Sequence, residues 1–406
     1  MGNTKLAGIL SSGMVIQRNE KFHIWGTEDT LDVVKVVFEN NTYESKVIDG
    51  KFDVVVDGHS EGEGFEIKVI GSEEIILTDV LFGDVFVLAG QSNMELPVYR
   101  TRDAAGEEID ASNYPTIRQY TLTPNYRLDE TKEAELFDKP WFKAVKGEIE
   151  FMSAVGFFCA KNLQSIINVP IGLILNAQGG SNIESWMSAK SLEEFGDFTH
   201  YINMFQEDGS LQKFLADNNE KTNAWREELI YEGFEKKALE IPSDAFEVTL
   251  PGIFLEREGN GFTGSMWLYK KVYLDFEPEE DSFLYVGELM DSDKTYINGV
   301  FVGNTEYSYP PRKYPFNGSI LKKGENLIAV RLLVDNKNGG FLKDHQYYLR
   351  SGKNKISIEE TWYKKFEVEA KRECPKVIMG QTVPTSLYTA SILPIKNLSI
   401  KGVWWY

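Results

Sequence analysis

Ser92 stands between two amides at the end of an apolar run, "GDVFVLAGQSNMELPV", residues 83–98. A serine hydroxyl becomes a nucleophile only where a base takes its proton and donors hold the oxyanion that forms. The run predicts a buried strand, a sharp turn at Gly90 and Gln91, and a new helical segment near Pro97. Such a strand-to-helix turn exposes Oγ at the sheet edge and aims backbone N–H groups into the same space. A serine that merely caps a helix is equally ordinary. Alone, then, Ser92 does not specify catalysis.

A second stretch, "NAQGGSNIESWM" from Asn176 to Met187, follows another apolar strand and carries Gly179 and Gly180. Two strand ends, one bearing Ser92 and the other this glycine pair, are expected to face one crevice, with N–H groups converging on it. A plain β–α turn is the competing reading. Glu184, between Asn182 and Trp186, is the one acidic residue expected beside the crevice, and it reads as structural.

The base is harder to find. Among His23, His59, His200 and His345, "DFTH", Asp197 to His200, sets an acid three residues before a histidine. It lies in polar helical sequence and reads as a surface helix pair; His345 beside Asp344 reads as a solvent-facing turn. Cys159 sits in an apolar helical pattern and is expected to be a small buried hydrophobe. Cys159 and Cys374 lie too far apart in sequence to suggest a disulfide framework. No histidines or cysteines pair at ligand spacing, so no metal and no cofactor is expected. "GNGFTG", residues 259–264, matches a dinucleotide fingerprint, but the sequence after it reads as a strand where the fingerprint needs a helix.

Composition bounds the partners. The chain has 406 residues, 62 acidic against 43 basic, for a formal charge of −19. Nucleic acid and anionic membranes need a basic footprint, so both are excluded as partners. No run of about 18 apolar residues offers a membrane span, and the first residues lack a secretory pattern, so a cytoplasmic protein is expected. Oligomeric state is not legible.

The elements around these motifs suggest an α/β protein. Residues 1–80 hold short alternating runs separated by Gly, Asp and Asn, the pattern of an N-terminal β-sandwich. From 81 to 245, "VFVLA", a helix carrying Phe151, Ala154, Val155, Phe158, Cys159, Leu163, Ile166 and Ile167, and "VPIGLILNA" predict a parallel sheet covered on two faces. Mostly polar helical sequence follows. Residues 246–350 read as a second, inserted β-sandwich. The stretch 351–406 returns to the parallel sheet, with a helix opening at Pro384 and a last strand, "SIKGVWWY". That strand stops where a loop should enter the crevice, so the chain is expected to be a fragment.

"GDVFVLAGQSNME", "VPIGLILNAQGGSNIESWMS" and "PTSLYTASILPIKNLSIKGVWWY" closely resemble the sialate O-acetylesterase family of the SGNH hydrolases. "SSGMVIQR", "FTGSMWLYKKVYL", "TYINGVFVGNTEY" and "ENLIAVRLLV" extend the resemblance over nearly the whole chain. It implies an SGNH-type, flavodoxin-like parallel sheet, incomplete at the C-terminus, with an inserted galactose-binding-like jelly-roll. It also implies that Ser92 is the nucleophile, that Gly179 or Gly180 supplies an oxyanion N–H, and that Gln91 and Asn93 belong to the site. The family pattern continues past "WWY" with a Gln-Gly-Glu block and, far downstream, Asp-x-x-His. The resemblance therefore implies an O-acetylated sugar as substrate and a chain inactive or impaired as it stands. Acetylated sialic acid is the first expectation, with Arg100 and Arg102 as partners for its carboxylate; acetylated xylan or another sugar is the alternative. A non-catalytic carbohydrate-binding protein is the reading from a different class.

Overall fold

The computed structural model describes residues 3–128, 139–205, 207, 209–254, 262–308, 310–335 and 337–406. The chain divides into two compact units, Met1–Ala216 with Ile378–Tyr406, and Asp217–Val377. The stretch 246–350 lies within the second.

The first unit begins with strands β1 (Thr4–Leu6), β2 (Val15–Gln17), β3 (Phe22–Glu28), β4 (Val33–Phe38), β5 (Asn41–Lys46), β6 (Lys51–Val56) and β7 (Gly62–Ile70). In β4 and β6 buried and solvent-facing residues alternate, as a half-buried pleat requires. Their inward Val34, Val36, Phe38, Phe52, Val54 and Val56 meet Phe22 and Ile24 of β3 and Ile67 and Val69 of β7 in one core. Burying each such side chain contributes roughly 1.5–3 kcal/mol.

β8 (Glu74–Gly90) is the spine of this unit. Its first half pairs antiparallel with β7, and its second half pairs parallel with β11 (Ile171–Ala177). Residues 80–88 of β8 are buried without interruption. That burial explains the unbroken apolar run before Ser92, since a strand covered on both faces has no polar side to alternate with. The one acid inside it, Asp84, is held by Arg18, whose Nε lies 2.8 Å from Oδ1. β9 (Asn113–Thr121) pairs parallel with β11, β10 (Phe142–Val145) pairs antiparallel with β9, and the strand Gly402–Trp405 pairs parallel with β8. The antiparallel and parallel parts are thus one mixed sheet of nine strands.

The helices of this unit are α1 (Ser92–Glu95), α2 (Arg102–Asp110), α3 (Ala154–Ile167), α4 (Ala189–Leu192) and α5 (Thr199–Met204); α6 (Ser210–Glu227) crosses the division of the chain. Two expectations fail here. Cys159 is exposed, not buried. α3 buries Ala154, Gly156, Phe157 and Ala160, and Cys159, two residues past Phe157, is turned to the other side of a 3.6-residue helix. Phe151 and Ile166, counted in the same periodic set, are 60% and 80% exposed. The helix expected from Pro384 is also not a regular one. Thr385 has φ +69°, a π-helical turn covers Tyr388–Ile392, and a 3-10 turn covers Leu393–Ile395, where Pro394 removes a backbone donor.

Among the described residues of the second unit, the strands pair antiparallel. Its six-stranded sheet carries Gly264–Leu274 beside Gly324–Val334, and its four-stranded sheet carries Asp281–Val286 beside Tyr347–Ser351. Leu268, Leu284, Val330, Leu349 and Trp362 share the core of this unit. Arg312 and Asp293 are buried within it, 3.0 Å apart, with Tyr314 donating to the same carboxylate. The "GNGFTG" match lies partly outside the described residues, and its last glycine opens a strand. Among the described residues no helix is long and apolar enough to cross a membrane.

Candidate active site

β8 ends at Gly90 with φ +128°, a conformation that only glycine adopts at low cost. Gln91 turns the chain, and Ser92 opens α1. This four-residue helix is too short to stand by propensity, and its neighbours hold it. Met94 is buried, and the Ser153 hydroxyl donates to the Met94 carbonyl at 2.6 Å while accepting from the Gly156 N–H at 3.0 Å. The Ala154 N–H donates to the Leu96 carbonyl at 2.8 Å. Pro97 stands immediately before a 3-10 turn, Val98–Thr101. Gln91, Ser92 and Asn93 are all exposed.

The glycine loop arrives from the neighbouring strand. β11 runs parallel to β8 with Ala177 opposite Gly90, and the Gln178 N–H donates to the Gly90 carbonyl at 3.1 Å. The two glycines then face different ways. A Cβ placed on Gly179 would lie 3.2 Å from Cβ of Ser92 and 3.1 Å from Oε2 of Glu95. On Gly180, which has φ +73°, it would instead face Met379 at 3.5 Å and Gln381 at 3.9 Å. Gly179 is therefore the glycine that packs against the serine.

The polar groups around this contact form a connected set. The Gly179 N–H donates to Glu95 Oε2 at 2.8 Å. Gln381 Nε2 donates to the Gly179 carbonyl at 3.2 Å, and the Tyr126 hydroxyl donates to Gln381 Oε1 at 3.4 Å. Burial, and then the Glu95 charge, push the Tyr126 phenol up to about 12. Gln91 gives its side-chain N–H to the Ser181 carbonyl, and Ser181 Oγ accepts from Trp186 Nε1 at 3.0 Å. The amide of Gln91 thus ties the two loops together.

Glu95, Tyr126 and Gln381 were not singled out by sequence reasoning. Glu95 lies inside the quoted serine motif, three residues past Ser92, but nothing in its type or spacing distinguishes it from 61 other acidic residues. Glu184, expected beside the crevice, lies in a 3-10 turn where its backbone carbonyl accepts from the Thr385 N–H.

The histidines are engaged elsewhere. His23 pairs with Asp53 at 2.8 Å, and His59 packs among Phe38, Phe65 and Phe82. His200 is exposed on α5 against Tyr201, while Asp197 accepts from the Thr199 N–H. His345, in the second unit, has Nε2 3.9 Å from Glu288. Arg102 is paired with Asp110 at 2.7 Å and Glu150 at 4.0 Å, so it is already neutralised; Arg100 is exposed. Cys374, its thiol pushed up to about 11 by burial, is no nucleophile at neutral pH.

Residues 82–215 match the family model described as "Carbohydrate esterase, sialic acid-specific acetylesterase". The chain is similar to the sialate O-acetylesterases of Homo sapiens and Pongo abelii, each 30% identical over 210 residues, covering 47% of this chain and 40% of theirs. It spans well under half the length of these curated relatives. Among solved structures, a carbohydrate acetylesterase from Xanthomonas citri is similar at 31% identity, covering 47% of this chain and 44% of that one, with a TM-score of 0.44. The likeness to sialic acid-specific acetylesterases thus falls on the segment 82–215, which holds Ser92, Glu95 and Gly179.

Proposed function

We propose that this chain carries the nucleophile of a carbohydrate O-acetylesterase. The observation that carries the reading is the packing of Gly179 against an exposed Ser92 at the carboxyl ends of two adjacent parallel strands. Ser92 Oγ attacks the acetyl carbonyl, and the N–H groups of Ser92 and Gly179 receive the oxyanion, worth several kcal/mol in such sites. Collapse of the intermediate expels the sugar hydroxyl and leaves an acetyl-serine, which water hydrolyses to acetate. Asn93, exposed beside Ser92, and Gly180 complete the rim that the sugar meets.

The four histidines have other surroundings, so the proton acceptor for Ser92 is not assigned to any of them. With this reading go an SGNH-type sheet, supported by the parallel pairing of β9, β11, β8 and the strand Gly402–Trp405, and a galactose-binding-like jelly-roll in the second unit. The substrate is an O-acetylated sugar, with sialic acid favoured by the family match.

The test compares wild type with Ser92→Ala on p-nitrophenyl acetate and an O-acetylated sialic acid, following acetate and the acetyl-protein by mass spectrometry. The expected result is a slow reaction with the acetyl group on Ser92, lost in the variant. Equal rates in both proteins, or sugar binding with no adduct on Ser92, would overturn it in favour of a binding protein.

A further inference from the structure

The Gly179 amide that should receive an oxyanion already has an anion on it. Glu95 Oε2 accepts its N–H at 2.8 Å, and the same oxygen stands beside the point that lies 3.2 Å from Ser92 Cβ. One N–H makes one strong hydrogen bond, and a bond to a carboxylate is among the stronger kinds. An acyl oxygen therefore cannot use Gly179 while Glu95 does. A fixed negative charge at that place would also oppose the charge that develops in the transition state. Glu95 comes from α1, the helix that Ser92 opens, so its backbone is anchored by the Met94 and Leu96 contacts to Ser153 and Ala154. Only its side chain has to turn away.

We propose that the Glu95 carboxylate is the internal occupant of the oxyanion site: it holds the Gly179 amide in the resting protein and is displaced by the acyl group of the substrate. Glu95 is thus a positioning residue acting through Gly179. The inference rests on the esterase reading for the identity of the displacing group, but the contact itself can be tested without turnover.

The probe is acetate, titrated into the ¹⁵N-labelled full chain. In wild type the Gly179 amide proton resonates downfield, and Glu95→Gln moves it upfield. Because the variant no longer competes with an internal carboxylate, acetate binds it roughly tenfold more tightly. Glu184→Gln removes the same charge without touching Gly179 and changes the affinity less than about twofold. The buried Met94 methyl resonance, unchanged in the variants, reports an intact fold. An unmoved Gly179 amide overturns the proposal, as does an unchanged or weaker affinity in Glu95→Gln. An equal gain in both variants also overturns it, since charge alone would then explain the effect. If ester cleavage proves independent of Ser92 while these shifts appear, the esterase reading fails and the Glu95–Gly179 contact stands.

Discussion

The carbonyl oxygen of Tyr406 lies 2.1 Å from the point where Gly90 would carry a Cβ. The same carbonyl accepts the Gln91 N–H at 3.1 Å, so the strand Gly402–Trp405 and the turn before Ser92 close on each other with no room for a side chain. Gly90→Ala meets this clash and an unfavourable φ of +128° together. The expected cost is about 2–4 kcal/mol in urea denaturation. Exchange of the Gln91 amide should accelerate with it. A variant as stable as wild type would show that the turn is not the constraint described.

Gly179 and Gly180 should separate by substitution. Gly179→Ala places a methyl 3.2 Å from Ser92 and 3.1 Å from Glu95, crowding the chemistry without a positive φ to strain the backbone. It is expected to leave the melting temperature within a few degrees while lowering Ser92-dependent acetyl transfer at least tenfold. Gly180→Ala has ordinary contacts but φ +73°, so it costs about 1 kcal/mol of stability and affects transfer less. Acetylation rates and thermal melts of both variants provide the comparison.

These two predictions also mark where the sequence was informative. The serine turn and the glycine loop were legible because each follows a strand apolar on both faces, a pattern few other structures produce. Parallel strands then bring their ends together, as Ala177 and Gly90 do. Tyr126 and Gln381 were not legible, being joined across 255 residues by a contact that no local pattern encodes. The exposed Cys159 shows the reverse limit. α3 is apolar on more than one side, and apolar spacing then cannot say which side faces the sheet.

Ser153 couples the start of α3 to the helix that carries the nucleophile. Its hydroxyl caps α3 at Gly156 and donates to Met94, and the side chain is fully buried. Ser153→Ala loses a cap and leaves the Met94 carbonyl without this donor, an expected loss of about 2–3 kcal/mol. Ser153→Thr keeps the hydroxyl and should recover part of it. Because α1 depends on this bond, amide exchange at Glu95 and Leu96 should rise in the alanine variant ahead of global unfolding.

Glu28 should govern part of the acid stability of the first unit. The residue is 1% exposed, and burial alone would raise its pKa. Hydrogen bonds from Thr4, Ser72 and Thr30 outweigh that burial and hold the carboxyl well below its ordinary value of 4.5. A depressed folded-state pKa contributes stability that is present above the unfolded value and is lost as pH falls below it. Glu28→Gln removes the charge that these donors serve, an expected loss of about 2–4 kcal/mol at pH 7. The gap between wild type and variant should then shrink as pH drops below 4.5 towards the folded-state pKa, where wild type protonates too. Urea melts at pH 7, 5, 4 and 3 measure it, and a gap that stays constant or widens on acidification would assign the acid limb to other carboxylates.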